Sequence, residues 1–152
     1  MAQLQPYCAI EGNDDGLPVV FVHGMGVDHR SLMMLDKAFD GNDSIRRIYL
    51  DLPGFGRTPA LPEHACGLPE MADWLQTAID GLVGKAAPFA MVGNSMGGAL
   101  VREVLAREPR RVAGMVLIAP VVDPQHAGRH VAEHVVAQPN PKLTHSLPQE
   151  QV

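Results

Sequence analysis

Four stretches of the chain form apolar runs, the second interrupted by Arg46-Arg47: Pro18 to His23, Ile45 to Leu50, Pro88 to Val92 and Val112 to Ala119. Runs this short, apolar at both odd and even positions, predict strands buried on both faces. Tyr7 to Ile10 predicts an earlier strand, closed by the turn residues Gly12-Asn13-Asp14-Asp15-Gly16. Between these runs the spacing becomes helical. From Pro69 to Val83, the residues Met71, Trp74, Leu75, Ala78, Ile79, Leu82 and Val83 share one face, and Gly84 follows as a C-cap. Ser31 to Phe39 predicts a short, Met-rich helix. Ala99 to Arg107 predicts another, stopped by Pro109. Strands alternating with helices predict an α/β fold: a three-layer α/β/α sandwich on a mostly parallel sheet, with at least four parallel strands.

The pattern changes after Ala119-Pro120. Val121 to Val136 has one more helical pattern, weakened by Gly128, while 138–152 carries Pro139, Pro141 and Pro148 among polar residues and reads as a linker or disordered tail. There is no internal repeat, and 152 residues suit one domain.

Composition narrows the function classes. With 46% hydrophobic and 19% charged residues the chain reads as globular, and a net charge of -5 argues against nucleic acid as a main partner. Arg107, Arg110 and Arg111 form a helix C-terminal cluster that suits the dipole. No apolar run approaches the ~18 residues of a membrane span, and Met1 to Pro6 lacks the apolar core of a signal peptide. Cys8 and Cys66 lie far apart and imply no disulfide framework. A reducing, cytoplasmic setting is the expectation.

The chemistry gathers at Val92-Gly93-Asn94-Ser95-Met96-Gly97-Gly98. This G-x-S-x-G sits between a predicted strand and a predicted helix, which places Ser95 on a tight corner at a helix N-terminus. Glycines are needed there because side chains would collide with the adjoining strand and helix. Two more Gly-rich turns end strands: Val20-Phe21-Val22-His23-Gly24-Met25-Gly26 and Tyr49-Leu50-Asp51-Leu52-Pro53-Gly54-Phe55-Gly56-Arg57-Thr58. Ligands of an open parallel sheet bind beyond the C-terminal strand ends, so all three turns are expected to face one crevice.

A strand ending in H-G-x-G, then D-x-P-G-x-G-x-[ST], then G-x-S-x-G-G, in this order and spacing, resembles the α/β-hydrolase fold family from about Tyr7 to about Asp123. The resemblance implies Ser95 as nucleophile, with the backbone N–H groups of Met25 and Met96 as oxyanion hole. It implies that His23, Gly24, Gly93, Asn94 and Gly97 shape the site, with the His23 ring bracing the oxyanion loop. The Asp51 to Thr58 loop would shape the site without doing chemistry. A serine at this corner points to esters, thioesters, amides or the carbon–carbon bonds of β-diketone-like substrates. The reaction would be acyl transfer through a covalent intermediate, needing neither metal nor organic cofactor.

In this family the order is Ser, then acid, then His, each after a later strand, and no strand-like run follows Ala119. The simplest expectation is the N-terminal part of a longer hydrolase: core over 1–120, the start of a helical cap over 121–137 and the tail over 138–152. Asp123 stands where some relatives, the haloalkane dehalogenases among them, place their acid; it also reads as a turn residue before Pro124. His126, His130 and His134 recur every four residues, a spacing that could bind a metal, but without an acidic or Cys partner the plainer reading is a solvated cap-helix face. Any of these, or His145, would have to fold back onto the sheet to act as base, and His29 and His64 read as surface loop residues.

An esterase-like serine hydrolase is therefore the leading reading, acting on a small ester-like substrate. A non-catalytic relative serving as a binding or scaffold protein is the alternative. A nucleotide-binding domain fits less well, because Gly24-Met25-Gly26 lacks the third glycine and Asp40 falls in a loop. An uncharged strand from Val112 to Ala119 at a sheet edge would favour homo-oligomers or pairing with a C-terminal portion.

Overall fold

The computed structural model describes residues 5–123. Five strands form one sheet: β1 (Cys8–Gly12), β2 (Leu17–Val22), β3 (Ile45–Leu50), β4 (Phe89–Asn94) and β5 (Val112–Ile118), in the spatial order β1-β3-β2-β4-β5. β2, β3, β4 and β5 run parallel, and β1 is antiparallel on β3. The first connection is a tight turn, which can only reverse the chain. The later ones cross over, as parallel neighbours require.

Alternation along the strands divides the core in two. Val20, Val22, Ile48, Leu50, Phe89 and Met91 point to a layer formed by α2 (Leu68–Val83) and α3 (Met96–Arg107). Val19, Phe21, Tyr49 and Val92 point to the other side, under Leu32 and Phe39. The long helix forms as the spacing predicts: Ala72, Trp74, Leu75, Ala78 and Ile79 are buried, Met71, Leu82 and Val83 pack at the margin, and Gly84 ends it at φ 96°. A fully buried Leu or Ile on such a face contributes about 1.5–3 kcal/mol.

The helix predicted over Ser31 to Phe39 is instead two single turns, α1 (Arg30–Met33) and a 3-10 turn over Asp36–Phe39. Only Leu32 of α1 is buried, and Met34 is exposed. One apolar anchor per turn cannot support a long amphipathic helix. A half-buried ion pair covers the sheet there instead. Arg47 Nε and the Tyr49 hydroxyl both donate to Asp36 Oδ1, at 2.6 and 2.8 Å. Residues 124–152, with His126, His130, His134 and His145, lie outside the described residues, as does most of the expected cap and tail.

Candidate active site

β4 ends at Asn94 and α3 starts at Met96, so Ser95 alone makes the corner. Its backbone sits at φ 50°, ψ -116°, a region that side-chain-bearing residues rarely occupy. Such a conformation costs on the order of 1–3 kcal/mol and persists only where the surroundings over-determine it. Here they do. The Ser95 amide donates to the Ile118 carbonyl at 3.0 Å, and the Ser95 carbonyl accepts the amides of Gly98 at 2.9 Å and Val121 at 3.0 Å. Asn94 Nδ2 donates to the same Ile118 carbonyl at 3.2 Å. The corner is thus clamped to the end of β5, which itself stops at Ala119 with a positive φ of 42°.

The flanking glycines are required by space. A Cβ on Gly97 would run into the backbone carbonyls of Val22 and His23, and one on Gly93 would lie 2.8 Å from the Gly97 oxygen. α3 can therefore approach the end of β2 only through bare backbone. A Cβ on Gly24 would be 3.0 Å from Asn94 Oδ1 and 3.1 Å from the Ser95 Cβ. The loop after β2 therefore passes directly against the serine. Met25, next on that loop, is 72% exposed, whereas Met96 is buried at the start of α3.

His23 ties this loop down. The Leu52 amide donates to His23 Nε2 at 3.0 Å, which places the ring proton on Nδ1, and Nδ1 donates to the Gly24 carbonyl at 2.7 Å. Burial pushes the imidazole below its ordinary pKa, opposed only in part by the Gly24 hydrogen bond and the nearby Asp51 and Asp28 carboxylates. The ring is neutral, and both nitrogens are engaged.

Beside it lies an arrangement the sequence did not reveal. His29, expected in a surface loop, has a side chain only 11% exposed, and its Nδ1 meets Asp51 Oδ1 at 2.8 Å. Asp51 is fully buried. It also accepts the His29 amide at 2.8 Å and, through Oδ2, the Arg57 amide at 2.9 Å. The signal available in sequence was the Asp of D-L-P-G-F-G-R-T, since a buried carboxylate must find donors; nothing marked His29 as its partner. Asp28, His29 and Asp51 offer ligand-type atoms within 4.8 Å of one another. The carboxylates already accept N–H groups of Arg30, His29 and Arg57, so hydrogen bonding accounts for the cluster without a metal.

Asp123 is exposed, two residues beyond Val121, whose amide bonds the Ser95 carbonyl. His64 is exposed on a 3-10 turn over Glu63–Ala65. Among the described residues no helix is long and apolar enough to cross a membrane.

Known proteins resemble this chain in sequence and fold. The α/β hydrolase fold family model matches residues 18–140. The chain is 34% identical over 108 residues to the dihydrolipoyllysine-residue acetyltransferase component of the acetoin cleaving system of Pseudomonas putida, covering 71% of this chain and 28% of that protein. It is 31% identical over 112 residues to the pimeloyl-[acyl-carrier protein] methyl ester esterase of Legionella pneumophila (strain Paris), covering 72% of this chain and 40% of that one. The chain thus spans less than half the length of these relatives. An α/β superfamily hydrolase from Oenococcus oeni PSU-1 superposes with a TM-score of 0.74 at 24% identity, over 95% of this chain and 54% of that structure. By its matched residues and its sheet, this chain belongs to the α/β-hydrolase fold family.

Proposed function

We propose that the chain carries the nucleophile half of a serine hydrolase that cleaves a carboxylic ester or similar acyl substrate through an acyl-enzyme. The observation that carries this reading is Ser95 at φ 50°, ψ -116°, held at the strand-to-helix corner with the Gly24 backbone against it. A conformation this costly at a residue with a side chain is the kind of strain that clusters at reactive positions. Ser95 Oγ attacks the acyl carbon. The oxygen that becomes negative is received by the Met25 and Met96 amides, neither of which depends on side-chain type. Met96 adds the positive end of the α3 dipole. The alcohol leaves, and water releases the acyl group. Esterase-like relatives such as the Legionella enzyme support the ester class.

The base that takes the serine proton is not His23, whose two nitrogens are already used. Among the described residues Asp123, two residues beyond the Val121 amide that bonds the Ser95 carbonyl, is the acid candidate. Without an assigned histidine, the 152-residue chain by itself is expected to turn over weakly, at the residual ~10³–10⁴-fold over water that binding and an oxyanion hole supply. That no histidine follows Ser95 among the described residues leaves a second reading, a hydrolase-like binding or scaffold protein that keeps the crevice. Hydrolysis of p-nitrophenyl acetate by the mass-verified chain and by Ser95→Ala separates the two. Slow hydrolysis lost in Ser95→Ala supports the enzyme reading. Equal rates in both leave the binding reading. Rapid turnover would instead give Asp123 and a histidine working roles.

A further inference from the structure

The loop from His23 to His29 is pinned at both ends to two consecutive residues of another turn. At its start, the His23 ring accepts the Leu52 amide at 3.0 Å and donates to the Gly24 carbonyl at 2.7 Å. At its end, the backbone and ring of His29 both donate to Asp51 Oδ1 at 2.8 Å. Gly24, Met25, Gly26, Val27 and Asp28 span the gap. Asp28 is tied to its C-terminal side, its carboxylate accepting from Arg30 and its carbonyl from Ser31, but Met25, Gly26 and Val27 are exposed, and Gly26 has open space where a Cβ would be. Bare backbone at Gly24 touches Ser95, so any slack in this span moves the Met25 amide relative to the serine.

We propose that His29 and Asp51 act as a positioning pair that tensions this loop and so fixes the Met25 N–H over Ser95. The proposal rests on the serine-hydrolase reading above. Three features support it. Asp51 is fully buried, and among the described residues it is held by directed N–H groups rather than by a Lys or Arg side chain. Such contacts fix geometry more tightly than a mobile surface ion pair does. The turn carrying Asp51 is itself shaped to the carboxylate: Gly56, at φ 55°, lies so close that a Cβ would overlap the Asp51 carboxyl. The pair is also roofed. The Tyr7 ring lies 5.2 Å from the His29 ring, and the Arg57 guanidinium sits over Tyr7 at 4.7 Å while donating to its hydroxyl at 3.0 Å. The exposed stretch Met25-Gly26-Val27 alone would leave the span loose. The pair supplies that restraint through its contacts with the turn after β3.

The test uses the full chain with His29→Ala, His29→Gln and Asp51→Asn, and two readouts. One is the rate at which a fluorophosphonate labels Ser95, forming the Oγ–P bond with loss of fluoride and of the serine proton to water. The other is the ¹⁵N order parameter of the Met25 amide. His29→Ala and Asp51→Asn are expected to slow labelling about 10- to 100-fold, the scale on which a displaced catalytic group acts. They are expected to lower the Met25 order parameter from about 0.85 towards 0.6, with core amides unchanged. His29→Gln, which can still present an N–H to Asp51, is expected to restore most of both. Wild-type labelling and a rigid Met25 in His29→Ala would overturn the pair's role, as would equal loss in His29→Gln and His29→Ala. Failure of the wild-type chain to label at Ser95 would refute the serine reading instead, and the order parameters would then decide the positioning claim alone.

Discussion

A Cβ placed on Gly24 would come within 3.1 Å of the Cβ of Ser95, so the turn after β2 and the turn after β4 meet at these two residues. The adjacent glycine contacts differ in kind, and their substitutions should separate reactivity from stability. At Gly24 the obstacles are Asn94 Oδ1, the end of a side chain, and the Ser95 Cβ, and the overlap to be relieved is a few tenths of an ångström. Gly24→Ala should therefore fold with a melting point near wild type but react poorly at Ser95. At Gly97 the obstacles are the carbonyl oxygens of Val22 and His23, which cannot yield without moving β2. Gly97→Ala should lose about 1–3 kcal/mol or more by overpacking. Denaturant melts of the two variants check this contrast.

The strain at Ser95 should be recoverable as stability. Ser95→Gly places the residue best able to adopt φ 50° at the corner, and it should raise the unfolding free energy relative to Ser95→Ala. A gain of about 1 kcal/mol is expected, within the range for strained non-glycine positions. Equal stability of the two variants in urea would mean that the corner is not strained.

Much of this architecture was legible in the chain. The apolar runs located all four parallel strands to within a residue or two, and the helix ending at Gly84 followed its apolar stripe; the expected burial on both faces holds for the middle of the sheet but not for β5, where Val116 is 56% exposed. The stretch from Ser31 to Phe39 misled because apolar residues at helical spacing do not reveal that only Leu32 finds a buried seat. The glycines around Ser95 were legible because close backbone approach excludes every other residue. The His29–Asp51 contact was not, since it joins residues 22 positions apart that only the ends of two parallel strands bring together.

His23 should make stability depend on pH. Its pKa is lowered in the folded state, chiefly by burial, so below about 6.5 the unfolded chain takes up a proton that the folded chain resists. The contribution is fully present above the unfolded value and is lost as pH falls through the lower folded value. Urea midpoints should accordingly fall between pH 7 and pH 5, and more steeply in wild type than in His23→Asn. That variant should be weaker at every pH, because a buried group left unpaired at Leu52 or Gly24 costs about 1–3 kcal/mol. Parallel pH profiles for the two proteins would remove His23 as the source.

β5 pairs with β4 along one edge, carries no charge from Val112 to Ile118, and leaves Val116 56% exposed. Uncharged edges of this kind invite further pairing. We propose that the 16.4 kDa chain associates with a second copy through β5. Light scattering after size exclusion should give a mass above one chain, reduced to the monomer by Val116→Lys. A monomeric wild-type chain across concentrations would contradict this.

The claim that Ser95 is an activated nucleophile is tested most directly by mass spectrometry of the chain after incubation with a fluorophosphonate. The expected result is one adduct per chain, mapped to the peptide containing Gly93 to Gly98 and absent in Ser95→Ala. An unmodified chain, or an adduct that persists in Ser95→Ala, would contradict it.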